Sequence, residues 1–70
     1  VINFVSADMR RINLKGVVYH NACFDQADMR EAVLENGDFT GSSFVNADLR
    51  GANLKNAKLT NCDFTNARFD

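Results

Sequence analysis

Seventy residues carry eight basic and nine acidic side chains, a net charge of −1 that neither half of the chain departs from by more than one. A balance this close to neutral is not built for nucleic acid, an anionic membrane surface or another polyelectrolyte. No apolar run approaches the length of a membrane span, and no signal peptide is visible.

Read from its beginning, the chain places a large apolar residue at every fifth position. Residues 1–20 supply Phe4, Met9, Leu14 and Tyr19, residues 21–40 Phe24, Met29, Leu34 and Phe39, and residues 41–60 Phe44, Leu49, Leu54 and Leu59. Phe64 and Phe69 close the series, and a second, mostly small residue stands two positions before each centre. Five residues advance an α-helix about 140° beyond one turn, so this spacing would spiral around a helix instead of forming a face. A straight strand alternates with period two, and an odd step of five would change sides. The spacing is consistent if the chain turns a corner every five residues and four such segments close a square coil. Each segment then points its centre and the residue two before it inward.

The coil length is legible independently. Every twentieth residue gives the columns Phe4, Phe24, Phe44, Phe64 and Ala7, Ala27, Ala47, Ala67. The text recurs with them as Ala7-Asp8-Met9-Arg10, Ala27-Asp28-Met29-Arg30 and Ala47-Asp48-Leu49-Arg50, then diverges to Ala67-Arg68-Phe69-Asp70. A recurrence of this length marks a solenoid whose stacked neighbours are one coil apart. The expected class is all-β, with about 3.5 coils of 20 residues.

The units Ala47-Asp48-Leu49-Arg50-Gly51, Ala52-Asn53-Leu54-Lys55-Asn56 and Ala57-Lys58-Leu59-Thr60-Asn61 resemble the A(D/N)LXX unit of the pentapeptide-repeat family, and the resemblance covers the whole chain. It implies a right-handed quadrilateral β-helix. Ile2, Ile12 and Val17 depart from it, standing where alanine is usual, so the first coil is expected to be wider or distorted.

At roughly 4.8 Å per coil the stack is only about 17 Å long. The whole chain reads as a single domain, 1–70, with no linker. Neither end carries a capping unit, and a solenoid needs caps, so the chain reads as an excerpt of a longer one. Uncapped ends also leave strand edges open, which points to end-to-end self-association.

Few residues offer chemistry. His20 is the sole histidine, and Thr40 and Thr60 above it supply no second ligand, so neither a metal nor a catalytic role is expected. Cys62 falls on an inward small position as a compact hydrophobe, and Cys23 faces out. Two coils separate them, roughly 10 Å and too far for a disulfide, and unpaired thiols favour the reducing cytoplasm. Gly16, Gly41, Gly51 and the asparagines 21, 36, 46, 56, 61 and 66 share the corner register, where positive φ is expected. The phenylalanine column points inward as core, not outward as a ligand platform.

One surface feature stands above background. Asp8, Asp28 and Asp48 stack before the centres of one face, and Arg10, Arg30 and Arg50 stack after them. The expected function is therefore a scaffold or protein-interaction module, no enzyme, with no cofactor and with these six residues as the candidate docking face for a protein partner. The bland alternative is a self-neutralising solvated face on a passive spacer. The family resemblance implies another, since some pentapeptide-repeat proteins linked to quinolone resistance mimic DNA and bind type II topoisomerases, with Asp8, Asp28 and Asp48 standing in for phosphates. Neutral charge and the flanking arginines weigh against it.

Overall fold

The computed structural model describes residues 2–70. Its backbone turns at every fifth residue, from Ser6 to Asn66, with φ between +58° and +76° at each corner. At these corners the N–H three residues after a centre donates to that centre's carbonyl over 3.0–3.2 Å, as in Ala7 to Phe4 and Ala67 to Phe64. This is the bond of a β-turn with a left-handed third residue. Gly and Asn adopt that conformation most readily, as expected of the nine Gly and Asn corners named above. Ser6, Arg11, Gln26 and Glu31 adopt it too, which residue type alone did not signal.

One corner is built differently. No direct bond joins Ala22 to Tyr19; instead the buried Ser42, one coil above, inserts its hydroxyl. Its Oγ accepts from the Ala22 N–H at 3.1 Å and donates to the Tyr19 carbonyl at 2.9 Å. The small position thus takes a polar residue where both backbone groups would otherwise be unpaired.

Successive coils meet through single-residue parallel bridges 20 residues apart, in four columns. Each residue bridges the next in its column, and the columns run Asn3–Cys23–Ser43–Asp63, Asp8–Asp28–Asp48–Arg68, Asn13–Val33–Asn53 and Val18–Asp38–Lys58. Each centre with a coil above it donates upward, as Phe24 does to Ser43 at 2.7 Å, and the residue before a centre donates downward where a coil lies below, as Cys23 does to Ile2 at 2.9 Å. The first coil keeps this register and these bond lengths. No distortion is seen in its inter-coil hydrogen bonds, because Ile2, Ile12 and Val17 lie on the lower rim with no coil beneath them among the described residues.

The bridge position also explains the Asp or Asn of the repeat. At Asn3, Asp8, Asn13, Asp28, Asp48 and Asn53, for example, Oδ1 accepts the backbone N–H two residues on, at 3.0–3.3 Å. The side chain closes a local turn that the backbone would leave open.

Inside, the phenylalanine column stacks ring on ring, Phe24 to Phe44 at 4.6 Å and Phe44 to Phe64 at 4.9 Å, nearly parallel. Phe39 meets Phe24 and Phe44 edge-on at 5.9 Å. Gly37 makes that possible, since a Cβ there would stand 2.8 Å from Phe39 Cζ. Burial is complete in the middle coils and fades toward both ends, reaching 49 % exposure at Phe69. The stack measures 20 × 20 × 18 Å.

Candidate functional site

The six charged residues singled out in the sequence lie on one face. Each Asp stands in the bridge column, held by the backbone N–H of the Arg two residues on, and the same Arg returns a two-pronged guanidinium contact. In Asp8–Arg10 both prongs measure 2.8 Å; in Asp28–Arg30 they are 2.8 and 2.7 Å, and in Asp48–Arg50 2.8 and 2.6 Å. Rungs are tied to one another more loosely, Arg10 to Asp28 and Arg30 to Asp48, each at 3.9 Å. Like charges therefore stack at coil spacing, with each charge neutralised within its own rung.

The guanidinium hydrogen bonds hold the Asp8 and Asp48 carboxyls at about 2 and lower that of Asp28, while the arginines rise in return. At the top Arg68 takes the backbone bridge above Asp48, near enough to help lower its carboxyl. Side-chain exposure falls from 64 % at Asp8 to 21 % at Asp48. The lower rungs are the ones presented to solvent.

The four unexpected corners flank this face. Ser6 and Gln26 line one edge, joined by the Ser6 hydroxyl donating to Gln26 Oε1 at 3.1 Å. Arg11 and Glu31 line the other as an ion pair at 3.2 Å. The remaining two corner columns hold only Gly and Asn among the described residues. A left-handed residue with a longer side chain costs roughly 1–2 kcal/mol, and here that cost is confined to the borders of one plane. Between them lies a shallow polar groove lined by Asp8, Arg10, Arg11, Arg30 and Glu31.

His20 has a partner, which reading straight up its column did not find. Its Nε2 lies 2.8 Å from Asp38 Oδ2, while the Thr40 hydroxyl donates to Asp38 Oδ1 at 2.6 Å. Asp38 stands 18 residues on, diagonally across the rung, like Asp28 from Arg10. Reading offsets of 18 beside those of 20 would have found it. The His20 and Thr40 bonds lower the Asp38 carboxyl, and the hydroxyl is spent on Asp38, not on the imidazole. Among the described residues no group of His, Cys, Asp or Glu is gathered to hold a metal ion.

Both cysteines are free and half-buried, Cys23 more covered than an outward position suggests. Cys62 donates its thiol to the Phe39 carbonyl at 3.0 Å, and burial raises its pKa. No helix is long and apolar enough to cross a membrane among the described residues.

The family model for pentapeptide repeats matches residues 27–66 in eight copies. Among solved structures, the chain is similar to a pentapeptide repeat protein, Rfr23, from the cyanobacterium Cyanothece 51142, with 22 % sequence identity and a TM-score of 0.72. The alignment covers 97 % of this chain and 53 % of that one, so the chain spans about half of that protein's length. The likeness shows the shared right-handed quadrilateral β-helix and nothing of its activity. No curated protein matches the sequence.

Proposed function

This chain belongs to the pentapeptide-repeat family, and on that premise we propose that it is a non-enzymatic scaffold that docks a protein partner on the Asp/Arg face. The observation that supports this reading is the locked ladder: Arg10, Arg30 and Arg50 are each held by two prongs to the Asp of their own rung. A guanidinium fixed in this way loses little further freedom when a partner covers it. Arg is also the charged residue most enriched at binding hot spots. The strained corners at both edges of the plane fit the same reading, since strain persists where it serves a surface.

Pairing on every rung speaks against the DNA-mimicking alternative, because the acidic column lacks the free negative charge that phosphates carry. The test is capture from a native lysate with the wild-type chain and with a variant reversing Arg10, Arg30 and Arg50 to Glu. A defined protein held by the first and lost by the second supports docking on this face. Equal capture by both makes the ladder a solvated surface.

A further inference from the structure

The Asp/Arg ladder is neutral in charge but one-sided in hydrogen bonding. On each rung the Asp is nearly saturated. Asp28 Oδ1 accepts from the backbone N–H and the Nε of Arg30, and its Oδ2 accepts from Nη2. Arg10 engages Asp8 in the same way, and Arg50 engages Asp48. The Arg is not saturated. A guanidinium carries five N–H donors in a planar fork, and here one is spent at Nε and one at Nη2. Nη1 of Arg10, Arg30 and Arg50 has no acceptor among the described residues. These side chains are 55 %, 44 % and 35 % exposed. At the border Arg11 likewise spends only Nε, on Glu31. The face therefore holds a surplus of donors, and a partner that covers it must bring acceptors.

The coil spacing sets where those acceptors must stand. Rings in the phenylalanine column lie 4.6 and 4.9 Å apart, so Arg10 and Arg50, two coils apart, are separated by roughly 10 Å along the axis. An α-helix rises about 4.5 Å over three residues, about 6 Å over four and about 10.5 Å over seven. Acids at i, i+3 or i+4, and i+7 share one helix face and keep step with three rungs. An extended chain does not. Its same-side residues fall about 6.8 Å apart, and the three-residue step that matches two coils turns the side chain to the other face.

Resting on the docking reading above, we propose that the occupant of this face is an α-helix of a partner protein, lying along the stack axis with a stripe of Glu or Asp at i, i+3 or i+4, and i+7 over Arg10, Arg30 and Arg50. Each acid takes the open edge of one guanidinium, formed by Nη1 and the second N–H of Nη2. Each Arg is then held between two carboxylates, one from its own rung and one from the partner. Because every rung is already neutral, net charge attracts the helix only weakly. Selectivity comes from matching planar forks at fixed spacing, which Arg supplies and Lys does not.

The test is fluorescence anisotropy with three labelled peptides titrated with the chain. One is a stapled helix with Glu along the stripe. The second carries the same residues with Glu scattered around the helix, and the third keeps the stripe but is broken by two prolines. The striped helix should bind roughly tenfold more tightly than either of the others. Arg30→Lys and Arg50→Lys keep the charge and lose the fork, and each should weaken the striped helix by about fivefold. Circular dichroism checks that each variant keeps the wild-type β spectrum, and either variant alone decides if the other does not fold. No binding of the striped helix, equal binding of the scattered or broken peptide, or indifference to the Lys variants would overturn the proposal. After such a result, lysate capture separates the two readings. Capture still lost on reversing the three arginines to Glu removes the helix and leaves docking standing, whereas capture indifferent to the reversal removes both.

Discussion

Phe44 and Phe69 are the same kind of residue at the same place in the repeat, yet Phe44 is wholly buried and Phe69 is half exposed. Phe44 has a ring below it and one above, Phe24 and Phe64. Phe69 has a single ring neighbour among the described residues, Phe64, at 5.5 Å. In a solenoid the energy of a residue depends less on its identity than on how many coils stand on either side. The middle coils are a core, and the rims are surfaces with core composition.

The most forceful way to break that contrast is truncation. Phe44→Ala should cost about 3–5 kcal/mol, a large-to-small change with a cavity left behind. Phe69→Ala should cost about 1 kcal/mol, half a burial with no cavity. A denaturant titration reads both, and equal losses would mean that rim and middle do not differ. Next comes Gly37→Ala, which adds a methyl against the Phe39 ring and should cost about 1–3 kcal/mol by overpacking. The same methyl is native at Ala57, one coil higher in that column, so a neutral result would mean that the middle is looser than its burial suggests.

Acid should act on rim and middle alike, because each Asp of the ladder has its Arg on its own rung. Asp8 and Asp48 sit at about 2 in the folded chain against 3.8 in the unfolded one. Lowered carboxyls stabilise above the unfolded value, and that contribution is lost as pH falls through the folded one. Denaturant midpoints should therefore hold from pH 7 to about 4 and drop between about 4 and 2. Replacing Arg10, Arg30 and Arg50 by Gln should shrink the drop, although Asp38 and Asp63 keep their hydroxyl partners. A drop of unchanged size would detach the ladder from stability. Corner strain should also ignore depth in the stack. Gln26→Asn should gain about 0.5 kcal/mol by easing a left-handed residue, read as a rise in the denaturant midpoint, and Ser6→Asn on the rim should gain as much. Smallest of all, Thr60→Ala on the exposed surface should cost under about 0.5 kcal/mol in the same titration.

Much of this structure could be read in the residues because the constraint is periodic. Fourteen centres in one register determine which side chains point inward, and the recurrence at 20 identifies what stacks on what. Two things escaped. Ion pairing follows diagonals set by side-chain reach, so His20 finds Asp38 and not the threonines in its own column. Corners impose φ on whatever residue occupies them, so Arg11 and Glu31 comply without the Gly or Asn that would have announced it. The Asp/Arg face was visible as a charge pattern, whereas its strained borders required the backbone.

The bridges described above all join residues 20 apart, from Asn3–Cys23 to Asp48–Arg68. Every rung therefore closes a loop of one size, however many rungs precede it. The entropy of closing a loop depends on that size, not on the length of the chain. Folding by zippering from any formed pair of coils meets the same barrier at each step. A stack of this kind can lengthen, gaining stability with each added coil, without lengthening the search that any one coil must make.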